Sequence, residues 1–425
     1  MNLLLSLFFT LGFFYSAQAF AKVISLPELV KFAEENDHRV EASHDGVKSA
    51  EKGITAANSY YFPTLDFQAI DSSGFPGSTA SSLGVYGLAG SPYRSGIAYD
   101  FLLRQTLYDF GRSSARTQIA GATLASQKLR KPEILAQIDI EATRAFFNCV
   151  EAKTAVDQWK FFSTQAKLVA DEVSKFVLTG QRSKVEKYLS KTQLDEYLRK
   201  KKEAEDQLHY SLIFLNQIAV HEEQDLECPL LTEIYWPEKT SQSEDQTHPT
   251  TARLSAELEI LKAQISAEKS DYYPKIVAVG TLGHMADNRL VQKRGYAVGV
   301  GLEVPIFSGG ITKAKVARAE IDLNAAEESL RATQDNIKRT NIIYSQKIAI
   351  EKSKSELLAL EMEDAQKGFL IAKTRYFSMQ GNLIELREAL KAYLNTKDEY
   401  ARSKIHYYQY VIEEDLYNGD RQRIR

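Results

Sequence analysis

Gly310-Ile311-Thr312-Lys313-Ala314-Lys315-Val316-Ala317-Arg318-Ala319-Glu320-Ile321-Asp322-Leu323 opens a stretch that reaches Met379 without a proline and with one internal glycine, Gly368. It is rich in Ala, Glu, Lys, Gln and Leu, which are strong helix formers. Leu323, Leu330, Ile337 and Tyr344 recur in seven-residue steps, the spacing of a coiled-coil seam. From Gly310 to Met379 the distance is 69 residues, and at 1.5 Å per residue such a helix is roughly 100 Å long. A globular core cannot hold it, so it must pack sideways against other long helices.

The same distance, 69 residues, separates Gly111 from Gly180, in a stretch of similar composition that contains Gly121 and Pro132. Upstream anchors repeat as well. Leu107-Tyr108-Asp109-Phe110-Gly111 corresponds to Ile306-Phe307-Ser308-Gly309-Gly310 at an offset of 199, and Ala115, Ala120 and Leu124 then meet Ala314, Ala319 and Leu323. Ser59-Tyr60-Tyr61-Phe62-Pro63 corresponds to Ser270-Asp271-Tyr272-Tyr273-Pro274 at an offset of 211. The chain is therefore two diverged copies of one unit. The first copy holds 12 extra residues between its anchors, which a surface loop tolerates.

Each copy reads as helix, β-hairpin, long helix, turn, return helix. A first helix spans about 27–60 or 251–272 and stops at Pro63 or Pro274. Hairpins follow at about 64–107 and 275–305. In 96–107, Ile97, Tyr99, Phe101 and Leu103 alternate with Ala98, Asp100, Leu102 and Arg104; in 295–304, Tyr296, Val298, Val300 and Leu302 alternate with Ala297, Gly299, Gly301 and Glu303. Period-two alternation marks strands with one apolar face. A soluble sandwich has the same pattern. A small or polar opposite face carrying Asp66, Asp100, Arg104 and Glu303 suits the wet lumen of a membrane barrel, with Ile97, Tyr99, Phe101, Tyr296, Val298, Val300 and Leu302 toward lipid. The hairpin tips are the Ser/Gly-rich 72–95 and the short, charged 284–294. Long helices are expected at 112–179 and 311–379, return helices at 184–220 and 383–413, a linker at 221–250 and a C-terminal tail at 416–425.

Composition narrows the classes. The 425 residues carry 53 Lys+Arg against 56 Asp+Glu, a net charge of −3, with 44% hydrophobic and 26% charged residues. That is ordinary for a folded protein and gives no global pull toward nucleic acid. With a mean hydropathy of −0.32 and no apolar run of bilayer length beyond the N-terminus, a multi-span helical membrane protein is excluded; a β-barrel is not. Residues 2–16 are nearly all apolar and precede Ala17-Gln18-Ala19, so 1–19 reads as a signal peptide, with an uncleaved anchor helix as the other reading. No Cys lies near the cleavage site, which argues against a lipoprotein.

Together these residues resemble the TolC-like outer-membrane efflux protein family. The resemblance covers about 24–415. It rests on Ser59-Tyr60-Tyr61-Phe62-Pro63-Thr64-Leu65, on Tyr272-Tyr273-Pro274, on Val304-Pro305-Ile306-Phe307-Ser308-Gly309-Gly310, and on the duplicated arms. It implies a mainly α fold with a β-barrel portion: a homotrimer whose strands form an outer-membrane β-barrel continued by a periplasmic α-helical barrel in a Gram-negative bacterium. Four strands per chain cannot close a barrel, for which about eight is the minimum. The resemblance further implies a passive exit duct of a tripartite efflux pump or type I secretion system. Its partners would be a periplasmic adaptor, an inner-membrane transporter and outer-membrane lipid.

The family's tip turns contact the adaptor. Here those are Thr179, Gly180, Gln181, Arg182 and Ser183, and Met379, Gln380, Gly381 and Asn382. The family usually has Gly where Met379 stands, so Gly381 is expected to supply that turn. Plain helix-hairpin turns are the alternative. Glu186, Glu385 and Glu388 match acidic positions that close the tube in some members; Lys184, Lys187 and Arg387 nearby make them equally an ordinary solvated helix face. Counting residues along the arms puts Cys149 and Cys228 at similar height, either bonded to each other or as two unpaired thiols.

Catalytic patterns are missing. The seven His form no H-E-x-x-H, there is no C-x-x-C, and no phosphate-binding glycine loop follows a strand. No enzyme activity, metal site or cofactor is expected, and Arg421, Arg423 and Arg425 are too few for a nucleic-acid tail. The competing function is a soluble periplasmic or surface coiled-coil structural or adhesion protein with a small β-domain.

Overall fold

The computed structural model describes residues 22–72, 96–219, 226–234, 248–287 and 292–424. The segment 1–19, expected to be a signal peptide, and most of the Ser/Gly-rich tip lie outside the described residues. In chain order the elements are β1 (Lys22–Val23), α1 (Leu26–Asn36), α2 (His38–Asn58), β2 (Thr64–Ser72), β3 (Gly96–Tyr108), α3 (Arg112–Leu178), α4 (Lys184–Ala219), β4 (Leu226–Glu227), α5 (Pro249–Lys269), β5 (Lys275–Asp287), β6 (Gln292–Glu303), α6 (Ile311–Phe377) and α7 (Leu383–Tyr417). Both long helices have 67 residues, and both of their ends differ by the offset of 199 read from the sequence. A single-turn 3-10 helix, Ser59–Tyr61 or Ser270–Tyr272, ends the helix before each hairpin.

The chain divides into two compact units. One comprises His38–Leu135 and Ser243–Asn341 and contains the sheet, ordered β2-β3-β5-β6 and antiparallel throughout. β3 joins β5, so the hairpins of the two copies form one sheet, and β2 and β6 are left as edges. Strand pairing runs further toward the second tip than the sequence suggests: β5 continues to Asp287 and β6 starts at Gln292, inside the expected loop 284–294. Below the sheet, Asp109 caps α3 by accepting from the Ser113 amide at 2.9 Å. Arg112 donates to Asp271 at 3.2 Å, and Phe110 stacks on Tyr273 with ring centroids 5.3 Å apart.

The other unit comprises Ala136–Gln242, Ile342–Arg425 and the residues up to Asp37. Ser25 and Glu28 form a capping box at the start of α1. The expected helix 27–60 is two helices, because Asp37 leaves the helical region at ψ 118. β1 pairs in parallel with β4, bringing the linker to the N-terminal segment. Cys149 and Cys228 are joined by a disulfide with Cα atoms 6.0 Å apart; both are buried. One core fills the space between the helix ends. Phe162, Val169 and Val173 of α3 and Tyr197 of α4 pack with Phe369 and Tyr376 of α6 and Leu383, Leu386, Leu390 and Tyr393 of α7.

Two buried carboxylates organise the opposite end of α7. Glu413 accepts from Arg144 Nε at 3.0 Å and Nη2 at 3.1 Å, from Gln409 at 2.8 Å and from the Tyr344 hydroxyl at 2.9 Å. Burial, then the Glu413 charge, pushes the Tyr344 phenol up to about 12. Asp139, fully buried, accepts two bonds from Arg421 at 2.6 and 3.1 Å, and Arg421 also meets Glu34. The expected tail 416–425 is therefore partly helix, since α7 runs to Tyr417, and partly a clasp. A buried carboxylate needs a bidentate partner, and Arg421 supplies it.

Candidate functional site

Two regions carry the functional expectations: the turns that reverse the long helices, and the faces of the sheet.

Each turn is a Schellman-type helix end. In the first, the Gly180 amide bonds the Val177 carbonyl at 3.2 Å and the Gln181 amide bonds that of Phe176 at 2.8 Å. In the second, Met379 bonds Tyr376 at 3.1 Å and Gln380 bonds Arg375 at 2.8 Å. The residue in the left-handed region is Gly180, φ +75, in one and Met379, φ +63, in the other. This corrects the expectation that Gly381 supplies the second turn. Met379 adopts the left-handed conformation itself, at a cost of about 1–2 kcal/mol for a residue with a Cβ. Gly381 is there because of a close approach: a Cβ on it would meet the Tyr376 nitrogen at 3.1 Å and the Arg375 carbonyl carbon at 3.3 Å.

Arg182 ties the two turns together. Its guanidinium donates to the Gly381 carbonyl at 2.8 Å and lies 4.6 Å from the Tyr376 ring centroid. Tyr376 donates its hydroxyl to Glu186 at 2.7 Å; burial first, then that bond, raises its pKa. Glu186 is also 4.0 Å from Arg182 Nε. Glu385 pairs with Arg375 at 2.8 Å, and its amide is capped by Asn382 at 2.8 Å. Glu388 is exposed one turn further on. The matched carboxylates Glu186 and Glu385 thus each have an arginine partner in the same chain. Thr179, Gly180, Gln181, Ser183, Met379, Gln380 and Asn382 are exposed, while Arg182 and Gly381 are tucked between the turns. Arg375 and Tyr376 were not anticipated, because both lie inside a helix whose periodicity marks only its packing face.

The sheet sorts its residues by register. Phe101 lies opposite Phe67 and Leu282, and Leu282 opposite Tyr296. Tyr99, Phe101, Val298, Val300 and Leu302 share that face. It is open: Tyr296, Val298, Val300 and Leu302 are 84%, 86%, 71% and 65% exposed. The side chain of Ile97 lies outside the described residues, and its backbone pairs with Asp71. Asp66, Asp100, Arg104 and Glu303 fall on the opposite face, where Arg104 and Glu303 form an ion pair at 3.0 Å across β5. Among the described residues, one cluster has metal-ligand spacing, Glu41, His44 and Asp45, all exposed. Lys48 binds Asp45 there at 3.0 Å. No helix among the described residues is long and apolar enough to cross a membrane.

This architecture has known counterparts. Residues 241–413 match the family model described as outer membrane efflux protein. No curated protein sequence matches the chain significantly. Among solved structures it is similar to the Campylobacter jejuni CmeC outer membrane channel (TM-score 0.78, 15% identity, covering 93% of this chain and 85% of that one). It is also similar to the outer membrane protein VceC of Vibrio cholerae (0.76, 13%, 93% and 96%). A third is the Neisseria gonorrhoeae MtrE outer membrane channel in its open state (0.72, 15%, 93% and 88%). The fold is that of the TolC-like outer-membrane channels.

Proposed function

We infer that this chain is the outer-membrane exit duct of a tripartite efflux pump or type I secretion system. It conducts small molecules or polypeptide from periplasm to exterior without catalysing a reaction. One observation carries the reading: a four-stranded sheet with two open edges exposes its aromatic and β-branched face while Asp66, Asp100, Arg104 and Glu303 gather on the other. A soluble β-domain would bury that apolar face, so the coiled-coil structural or adhesion alternative is not favoured. In lipid, an open edge leaves backbone groups unpaired, and closure by further copies removes it.

The helices support self-association too. Ile343, Ile350 and Leu357 of α6 form a seven-residue stripe, exposed along with Leu360 and Ile371, while Leu198, Tyr210 and Phe214 are exposed on α4. Three copies would supply twelve strands. The turn segments Thr179–Ser183 and Met379–Asn382 are the adaptor contact in this reading. Glu186, Glu385 and Glu388 stand where a periplasmic gate would close, and the transport energy comes from an inner-membrane partner. The test is fractionation with unheated gel electrophoresis in mild detergent. An outer-membrane species near three times the monomer mass is expected; a soluble periplasmic monomer refutes the reading.

A further inference from the structure

The Cys149–Cys228 bond staples one arm hairpin and not the other. Cys149 lies within α3 and Cys228 directly follows β4, so the bond closes a loop that holds α3 from Cys149 onward, the first turn and all of α4. The second copy has no equivalent, because the residue at the offset of 199 from Cys149 is Ile348. Its hairpin is closed by hydrogen bonds, from Tyr344 to Glu413 at 2.9 Å and from Ser403 to Glu351 at 2.7 Å. An arm hairpin of this fold can therefore close without sulfur. What the bond adds is a fixed linker. Without it, β4 is held to β1 by two residue pairs and by the Ile24 amide donating to the Glu227 carbonyl at 3.0 Å.

Both sulfurs are shut away. Cys149 is fully buried and Cys228 is 3% exposed. Phe146, Phe147 and Val150, beside Cys149 on α3, are buried as well, and so is Leu226 before Cys228. The N-terminal segment that pairs with β4 brings in the buried Ile24, Leu26 and Leu29. An oxidising enzyme cannot reach either sulfur in this state, so the bond forms before the linker and the N-terminal segment settle. Time is short for that. Docking of folded parts takes milliseconds to minutes, whereas uncatalysed disulfide chemistry takes minutes to hours. A chain left to itself would bury its thiols first.

Accordingly, we propose that this chain is a substrate of a periplasmic thiol–disulfide oxidoreductase, with Cys149 as the attacking thiol and Cys228 as the resolving one. The inference goes beyond the duct reading and rests on export to the periplasm, not on conduction.

The order follows from the chain. Exported from its N-terminus, it presents Cys149 ahead of Cys228 by a sequence separation of 79. At about 5–20 residues per second that is a lead of about 4–16 s. During it Cys149 is the only thiol outside, since the sequence holds two cysteines, and a bond within the chain has no partner. The Cys149 thiolate attacks the disulfide of the oxidoreductase, forms a mixed disulfide with one of its sulfurs and releases the other as a thiolate. The Cys228 thiolate then attacks the Cys149 sulfur and expels the enzyme. The chain gives up two electrons and two protons, and the enzyme disulfide becomes a dithiol.

Pulse labelling tests this. The full chain is followed in cells with and without the periplasmic dithiol oxidase, quenched in acid, alkylated with N-ethylmaleimide and run without reductant. Without the oxidase, bond formation should be at least about tenfold slower, as uncatalysed disulfide chemistry is, and residues 226–234 should become open to protease. Cys228→Ser should trap a reductant-sensitive adduct recognised by antibody to the oxidoreductase, and Cys149→Ser several-fold less of it. A second measurement needs no variant. Reduced, denatured wild-type chain should be oxidised rapidly when the purified oxidoreductase is present from the start of refolding, and should keep both thiols when the enzyme is added after refolding. Equal rates with and without the oxidase, more adduct in Cys149→Ser than in Cys228→Ser, or equally fast oxidation of the refolded chain overturns the inference and leaves the duct reading standing. A chain that stays in the cytoplasm with both thiols reduced overturns it together with the outer-membrane localisation.

Discussion

Replacing Arg182 with alanine should loosen the turn it does not belong to. The side chain sits on the first hairpin, but its strongest bond is to the Gly381 carbonyl of the second, at 2.8 Å, and its plane rests on Tyr376 at 4.6 Å. A hydrogen bond from a charged donor contributes about 1.5–3 kcal/mol. The cation–π contact, with Tyr376 buried and the Arg182 side chain 15% exposed, adds at least about 0.5–1 kcal/mol. Together they give about 2–4 kcal/mol of local stability, or roughly a 30- to 1,000-fold change in the opening equilibrium at 1.4 kcal/mol per decade. Amide hydrogen exchange followed by mass spectrometry reads this directly, since turn segments open locally well below the global unfolding free energy. Peptides covering 176–190 and 375–386 should both lose protection in Arg182→Ala. In Arg182→Lys the loss should be smaller, because an ammonium keeps the charge but cannot stack and fork at once. Faster exchange confined to 176–190, or a change below threefold at 375–386, would refute the cross-hairpin coupling.

Other outcomes follow from the same geometry. Val300→Arg puts a charge on the open apolar face of the sheet and should cost about 2–4 kcal/mol per copy in lipid; it should abolish the membrane oligomer while circular dichroism keeps its helical signal. Thiol labelling of denatured, unreduced protein should find no free cysteine. Cys228→Ser, which opens a loop with a sequence separation of 79, should cost about 4.5 kcal/mol by the chain-entropy estimate, read as a lower denaturation midpoint. Gly381→Ala should destabilise the second turn by about 1–3 kcal/mol, because the new Cβ meets backbone rather than a movable side chain. The His406–Glu151 pair, 3.6 Å apart, should give a stability maximum in mildly acidic solution. The hydrogen bond between them raises the His406 pKa and lowers that of Glu151. The histidine contribution is complete below its unfolded value and fades as pH rises through the raised one; the carboxylate contribution is complete above its unfolded value and fades as pH falls through the lowered one. It is therefore fully present between about 4.5 and 6.5, and His406→Gln should flatten the pH profile of melting in and just above that window.

The sequence made the long helices legible because two copies had to agree. Residues 112–178 and 311–377 are in register at both ends, and the composition of each supports the other. The strands were legible from period-two alternation, and the register places the expected apolar and charged sets on opposite faces. Their tips were not, because charge at 284–294 suggests a turn whereas hydrogen bonding to a paired strand continues past it. The seam Leu323, Leu330, Ile337 and Tyr344 is half-buried at its first three positions and buried at the last. By contrast, the stripe Ile343, Ile350 and Leu357 also repeats every seven residues and is exposed. Periodicity identifies an apolar stripe but not what covers it. Arg421, Asp139 and Glu413 had no local signal at all, since their partners lie up to 282 residues away.

The departures from repeat symmetry say what the duplication preserved. At the start of the long helices the left-handed backbone is held by Phe110, φ +50, in one copy and Gly309, φ +62, in the other; at their ends it is held by Gly180 and Met379. Each copy has replaced one glycine that the other retains. Backbone geometry has outlasted the residue best suited to it. That is expected if the position of each turn is over-determined by the elements on both sides of it, so that a strain of about 1–2 kcal/mol is tolerated. Phe110 has its ring stacked on Tyr273, a contact no glycine could make. Met379 is partly exposed at the turn proposed to meet the adaptor. In both places the strain coincides with a side chain placed at a junction.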